Sequence, residues 1–390
     1  VIDYAAELAG TTPLDGQRRL IVSGVYIVEE GRDRLGDTVA VRFDGTVFSL
    51  YAVRNVTFAA GAGGGRADSA LFIGVWRGVT GPDGGRFDLV APAEEGGKEL
   101  VEGKGSGRGL VLAGTLSIGS TRHAVRLRKL GAIKARLRGF QIIAHRGGGR
   151  NSERLGMSEN SIPMIRLATL LGATGVEIDV QMTKDGIPIV FHDPTFTART
   201  VPSPYVIGPV ENYTLVQMRA AARLVNGEQI PTLREALRAV IDSTTLTLVW
   251  VDNKQVAVVD SVLVIQKEMM DYARLRGRND LRILFGIPAD DIRDAYERSP
   301  HKEGIPLLCE LDVETAKRLN ADVWAPRFTA GIPDETTVRD LERAGIEIYV
   351  WTLDDESFIR QYLASDAFDG ILTNYPTLLA ALFYTRAVEP

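Results

Sequence analysis

Cysteine is all but missing from this 390-residue chain: Cys309 stands alone, so an internal disulfide is excluded and a thiolate metal site has no ligands to draw on. Within PLLCEL it reads as a small buried apolar residue. Histidine is almost as scarce, at four residues (His123, His145, His192 and His301). No apolar run approaches the ~18 residues of a membrane span, and LLAALF at 378–383 is expected on the buried side of a last helix. No secretion signal is visible either; the start at Val1 rather than Met leads us to expect a piece upstream. Compartment stays open on these grounds. A lack of disulfides suits either one, and a periplasmic or secreted location would fit a β module joined to a scavenging enzyme.

What is present is the make-up of a globular protein, 45% hydrophobic and 24% charged with a net charge of −5. It changes near residue 138. Residues 1–138 hold 24 of the 40 glycines and 19 Lys+Arg against 15 Asp+Glu, whereas the remainder holds 26 against 35. The first part reads as short β-branched and aromatic runs parted by Gly and Asp-Gly turns, which argues for a small antiparallel β sandwich or barrel. GAGGGR at 61–66 lacks a following Lys-Ser/Thr and dinucleotide spacing, so we expect a flexible hairpin tip there and no phosphate cradle. TRHAVRLRKLGAIKARLR at 121–138 carries seven Lys/Arg and no acid. We expect a solvated strand and linker that pair with the acidic second part, and no nucleic-acid partner.

Residues 139–390 alternate apolar β runs with helical patterns. That implies a parallel sheet covered by helices, and at this length a closed (β/α)8 TIM-like barrel, with a doubly wound open sheet as the alternative. Nine runs compete for eight places, and DVWAPRF at 322–328 is the weakest. We therefore expect two domains, 1–138 and 139–390.

Chemistry concentrates in the second part. His145 ends QIIAH and His192 ends PIVFH, while Glu177 and Asp179 lie two apart in GVEIDV. Residues i and i+2 of a strand share a face, so both carboxylates project into one space. Two imidazoles and a carboxylate pair at strand ends are the parts of metal-assisted acid/base chemistry. Asp252 and Trp351 also fall at strand ends, the face where such barrels keep their active sites.

Taken in order, HRGG, EN, E-x-D, V-F-HD, D-N-K, W-T and DGILTNYP resemble the glycerophosphodiester phosphodiesterases across most of 141–376. The likeness implies that His145 and His192 are the catalytic pair, which we read as general base and general acid, or the reverse. It implies that Glu177 and Asp179 are metal ligands, with Asp252 where the family usually has Glu. Three carboxylates without a soft ligand favour one divalent cation, Ca²⁺ or Mg²⁺. Arg146 and Lys254 are the phosphate-facing cations. Glu159 matches the Glu of the family's P-E-N-T motif and takes a supporting place, and Trp351 walls the pocket. Asn374 stands where the family often has Asp.

The implied reaction is hydrolysis of a glycerophosphodiester to glycerol 3-phosphate and an alcohol, by direct water attack or through a cyclic phosphate. Two alternatives are weighed with it. One is phospholipase D-like cleavage of lysophospholipid or sphingolipid headgroups, which the D-x-K pair resembles. The other is a weakly active envelope binding protein whose β domain makes peripheral contact with lipid or glycan.

Overall fold

The structure is a computed structural model describing residues 2–133 and 139–386; the basic stretch at 134–138 lies outside the described residues. It falls into two compact units. One comprises Val1–Gly139, Leu170–Gly172 and Thr377–Pro390, the other Phe140–Thr169 and Ala173–Pro376. The last helix, Pro376–Thr385, thus groups for nearly all its length with the first unit. There Arg42 donates to the Tyr384 hydroxyl and lies over its ring.

The strands of the first unit are β1 (Thr12–Pro13), β2 (Gly24–Glu30), β3 (Thr38–Asp44), β4 (Val47–Ala52), β5 (Thr57–Arg66), β6 (Ser69–Gly78), β7 (Gly84–Ala91), β8 (Val111–Ile118) and β9 (Thr121–Gly131). From β2 to β9 each strand pairs antiparallel with the next, and β2 closes on β9. This is a barrel, not a sandwich. Tyr26, Phe48, Phe72, Trp76 and Phe87 fill its interior, with Phe48 5.1 Å from Phe72 and 5.5 Å from Phe87 between ring centroids.

Two local expectations fail here. GAGGGR is no hairpin tip: it lies within β5 and is paired with β6 along its whole length. The glycines admit close neighbours, since a Cβ on Gly61 would lie 1.9 Å from the Ile73 carbonyl oxygen and one on Gly63 2.4 Å from the Phe72 ring. Within the described part of the basic run, two arginines also find their acids inside this unit. Arg126 and Arg128 of β9 both pair with Glu29, and Arg126 also pairs with Glu95.

The second unit holds β10 (Gln141–Ala144), β11 (Gly175–Met182), β12 (Pro188–Val190), β13 (Thr195–Phe196), β14 (Gly208–Pro209), β15 (Leu248–Asn253), β16 (Arg282–Ile287), β17 (Leu307–Cys309), β18 (Val323–Trp324), β19 (Glu347–Val350) and β20 (Gly370–Thr373). Eight of these, β10, β11 and β15 to β20, form a closed parallel ring in chain order. The surplus run is PIVFHD and not DVWAPRF: β12 turns back antiparallel on β11, while β18 takes a place in the ring. His192 therefore follows a hairpin strand, outside the ring. The excursion from 183 to 247 carries β12 to β14, has a small core of its own around Phe191 and Phe196, and ends in Leu233–Ser243, a helix started by a Thr232–Glu235 capping box. Among the described residues no helix is long and apolar enough to cross a membrane.

The ring interior is packed with Ile143, Leu248, Trp250, Leu284, Leu308, Val323, Tyr349 and Leu372. Cys309 is fully buried beside it, as a small apolar residue should be. Period-two alternation puts the residue two further along each strand on the same inward face. Those residues are His145, Asp252, Gly286, Glu310, Ala325, Trp351 and Asn374. Polar groups thus enter at four of these seven places, His145, Asp252, Glu310 and Asn374, at the C-terminal mouth.

Candidate active site

The mouth is organised by three carboxylates on two neighbouring strands. Glu177 and Asp179 are buried on β11, and Asp179 stands opposite Asp252 in the β11–β15 register. One oxygen from each of the three lies within 4.8 Å of the others. Glu177 Oε1 and Asp252 Oδ1 are buried without a hydrogen-bond partner, and Asp179 Oδ1 meets the Lys254 ammonium at 2.9 Å. Three hard carboxylates this close together, two of them with an unpartnered buried oxygen, fit a hard divalent cation.

Electrostatics agree with this. Burial and the neighbouring Asp179 and Asp252 charges push Glu177 well above the usual carboxylate range, and burial raises Asp252 too. Burial opposes ionisation of Asp179 as well, but Lys254, the two imidazoles and Arg146 outweigh it and hold its carboxyl low. Charge of the opposite sign at this point would relieve the first two.

Other side chains fix the trio. The Arg146 backbone N–H donates to Glu177 Oε2 at 2.8 Å, and Asn160 Nδ2 donates to Asp179 Oδ2 at 2.6 Å. Lys254 Nζ sits 2.9 Å from Asp179 Oδ1 and also pairs with Asp252. Arg146, expected to face phosphate, instead turns its guanidinium onto Glu159 at 2.9 Å and lies 4.0 Å from Asp179. Glu159 is buried beneath it and also receives Arg199. Burial would raise the Glu159 carboxyl; the Arg199 hydrogen bond and the Arg146 charge hold it below the usual range.

The two histidines have opposite surroundings. His145 Nδ1 lies 2.7 Å from Asn374 Oδ1. Asn374 gives its Nδ2 to Asp354 Oδ2 at 2.6 Å and its backbone N–H to Asp354 Oδ1 at 2.8 Å, so its carbonyl oxygen must face the ring. The network therefore assigns the proton to Nδ1 and leaves Nε2 bare, 3.7 Å from Glu177 Oε2. Burial pushes His145 down to about 4, against the opposing pull of Asp179. His192, by contrast, is half-exposed and meets a carboxylate: its Nδ1 lies 2.8 Å from Asp193 Oδ1. Arg199 clamps that carboxylate at 2.8 and 3.2 Å. Both imidazoles contribute to holding the Asp179 carboxyl low.

Trp351 is partly buried against the ring core. Its Nε1 donates to the Ala325 carbonyl at 2.9 Å, and Arg327 lies over its ring.

Sequence reasoning missed Asp193, Arg199, Asn160, Asp354 and Glu310. Asp193 and Asn160 adjoin residues already singled out, so adjacency was the available signal. Glu310 shares an inward face with Leu308, legible by period two in LLCEL. Nothing local marks Asp354 or Arg199.

Residues 145–378 match the pattern of the glycerophosphoryl diester phosphodiesterase family. The chain is similar to a glycerophosphodiester phosphodiesterase of Caldanaerobacter subterraneus subsp. tengcongensis, 28% identical over 251 residues, which are 62% of this chain and 96% of that protein. It is also similar to glycerophosphodiester phosphodiesterase 1 of Rattus norvegicus, 41% identical over 118 residues, or 28% of this chain and about a third (33%) of that relative's length. Among solved structures, a glycerophosphodiester phosphodiesterase from Parabacteroides distasonis is similar with a TM-score of 0.51 at 20% identity, covering 64% of this chain and 98% of that one. That likeness speaks for the fold alone.

Proposed function

Given that this chain belongs to the glycerophosphoryl diester phosphodiesterase family, and so to the phosphoric diester hydrolases, we propose that it cleaves glycerophosphodiesters to sn-glycerol 3-phosphate and an alcohol by two-histidine acid/base catalysis. The single observation that carries the assignment of roles is the unlike pair of histidine partners. A buried imidazole held by a neutral amide keeps Nε2 free to accept a proton, which makes His145 the base. His192 is held through Nδ1 by the Asp193 carboxylate, which leaves Nε2 to face the substrate and makes His192 the acid that protonates the leaving alkoxide.

Glu177, Asp179 and Asp252 would hold one divalent cation. When bound, such an ion neutralises charge on the phosphoryl oxygens and holds the ester in line. Asp252 is one methylene shorter than the family's usual Glu, and Lys254 compensates by drawing it toward Asp179. Lys254 keeps its proton firmly: burial works against the ammonium, but Asp179, Asp252 and Glu177 together outweigh that. It thus brings fixed positive charge to the phosphate. Arg146 and Glu159 act as a buried pair that shapes the floor beneath it. Trp351 offers an apolar wall to the alcohol. In this reading residues 139–390 carry the chemistry and 1–138 form an accessory domain.

Purified chain, stripped with chelator and reloaded with Ca²⁺ or Mg²⁺, should release sn-glycerol 3-phosphate from glycerophosphocholine only when loaded. Choline release from lysophosphatidylcholine without glycerol 3-phosphate from the soluble diester would overturn the reading in favour of a phospholipase D-like activity. Trapping of a cyclic phosphate would identify the substrate hydroxyl as nucleophile.

A further inference from the structure

We infer that Arg199 is a positioning residue for the proton donor: its guanidinium fork fixes the Asp193 carboxylate, and through it the His192 ring, against the segment that carries Glu159. This rests on the reading of His192 as the acid and extends it to a side chain outside the motifs that carry the chemistry. His192 needs such an anchor. It follows the hairpin strand β12, outside the ring, and its side chain is partly exposed. One fastening is at the backbone, where its carbonyl accepts from Gln181 Nε2 at 2.9 Å. That bond leaves the side-chain torsions free, so the direction of the ring depends on what Nδ1 meets.

Nδ1 meets Asp193 Oδ1 at 2.8 Å. Asp193 is the very next residue, so it steadies the ring only if it is itself held. Among the described residues its carboxylate has one partner besides His192, and that is Arg199. Arg199 Nε donates to Oδ2 at 3.2 Å and Nη2 to Oδ1 at 2.8 Å, a two-point grip that sets the plane of the carboxylate as well as its place. The same fork is tied down on its other side. Its Nη1 donates to Glu159 Oε2 at 3.0 Å. Glu159 is buried and also receives the Asn151 backbone N–H at 3.0 Å and Arg146 Nη1 at 2.9 Å. The Arg199 carbonyl in turn accepts from Asn151 Nδ2 at 3.1 Å. Both ends of Arg199 are therefore held by the segment from Arg146 to Glu159, which starts beside His145. Burial would raise the Asp193 carboxyl, but its bonds to His192 and Arg199 hold it below the usual range, so it remains an acceptor for Nδ1. With Nδ1 committed, Nε2 is the atom left to serve the leaving oxygen. Arg199 itself lies at the surface, so replacing it leaves the core untouched.

The test compares two glycerophosphodiesters on the Ca²⁺-loaded full chain, one that releases ethanol and one that releases 4-nitrophenol. Ethoxide leaves only with a proton, whereas 4-nitrophenolate departs unaided, so loss of the acid shows on the first ester. His192→Ala sets the scale, with an expected loss of about 10²–10⁴-fold on the ethyl ester and under about tenfold on the nitrophenyl ester. Arg199→Ala should lose about 10–100-fold in kcat on the ethyl ester, the effect of a misplaced group, and under about threefold on the nitrophenyl ester and in Ca²⁺ affinity. Arg199→Lys keeps a charge beside Glu159 without the fork and should show the same bias between the esters to a smaller degree. In an Asp193→Ala background, Arg199→Ala should add less than about twofold, because it acts through that carboxylate. The inference is overturned by equal losses on the two esters, by wild-type kcat on the ethyl ester, by a full further loss in the Asp193→Ala background, or by a fall in Ca²⁺ affinity that matches the fall in activity. Failure of the broader reading looks different: His192→Ala itself then loses equally on both esters.

Discussion

Replacing Asn374 by Ala tests whether the proton on His145 is placed by its neighbours. Asn374 Oδ1 is the acceptor for Nδ1 at 2.7 Å, and Asp354 holds the amide from behind through two bonds of 2.6 and 2.8 Å. Removing the acceptor leaves a buried N–H unmatched, at a cost of about 1–3 kcal/mol. It also lets the ring adopt the tautomer whose Nε2 is already protonated and useless as a base. At 1.36 kcal/mol per tenfold, kcat/KM should fall about 5- to 150-fold, mostly in kcat. Asn374→Asp alone should be poor, because two carboxylates would face each other. The exchange Asn374→Asp with Asp354→Asn restores one donor and one acceptor, and should recover most of the loss. It also brings a carboxylate against Nδ1, which favours imidazolium, so the acid limb of the pH profile should move up. The assay is glycerol 3-phosphate release across pH, with Ca²⁺ affinity measured in parallel. Wild-type kcat/KM in Asn374→Ala, or a double variant no better than Asn374→Asp, would refute the reasoning.

Other consequences can be checked separately. His145→Ala and His192→Ala should each reduce turnover by about 10²–10⁴-fold, the usual worth of one placed proton carrier; full activity in either would remove that histidine from the mechanism. Asn160→Ala removes the hydrogen bond that orients Asp179 and should weaken divalent-cation binding about 10–100-fold, read by calorimetry. Unchanged affinity would mean Asp179 needs no such support. In the first unit, Lys129 gives its ammonium to the Ile21 and Ser106 carbonyls at 2.6 and 3.1 Å, and burial pushes it down from 10.5 to about 8. Between those pH values the unfolded chain holds the extra proton, so this group makes stability rise with pH, by up to about 3 kcal/mol. Thermal melts of wild type and Lys129→Met from pH 7.5 to 10.5 should diverge in slope with that sign, and parallel slopes would contradict it.

Much of this molecule can be read from its residues, and the failures have physical causes. Alternating βα runs of this length fit a closed barrel, and His145, Glu177, Asp179 and Asp252 come together because they end neighbouring strands or sit two apart on one. The surplus strand escapes sequence reading because a three-residue apolar run looks alike in a parallel ring and in a hairpin. Asp185-Gly186, with Gly186 at φ +74°, is the turn signal that separates them. β18 is weak in sequence yet takes its place, because two ladder residues suffice when neighbours flank both sides. Arg146 reads as a free cation in HRGG, yet the chain turns there at φ +53° and the guanidinium falls on Glu159. Arg126 and Arg128 form no separate basic surface, since antiparallel pairing brings β2 and its Glu29 alongside. Asp354 reaches Asn374, twenty residues on, only because β19 and β20 lie side by side, and no local pattern reports that.

The central claim is that three carboxylates seat one cation with an imidazole on either side of the phosphate. A crystal structure with Ca²⁺ and sn-glycerol 3-phosphate tests it most directly. We expect the ion bonded to Glu177, Asp179 and Asp252 at about 2.3–2.6 Å, with phosphorus between His145 Nε2 and His192 Nε2. An ion seated elsewhere, or both histidines on one side of the phosphate, would contradict the account.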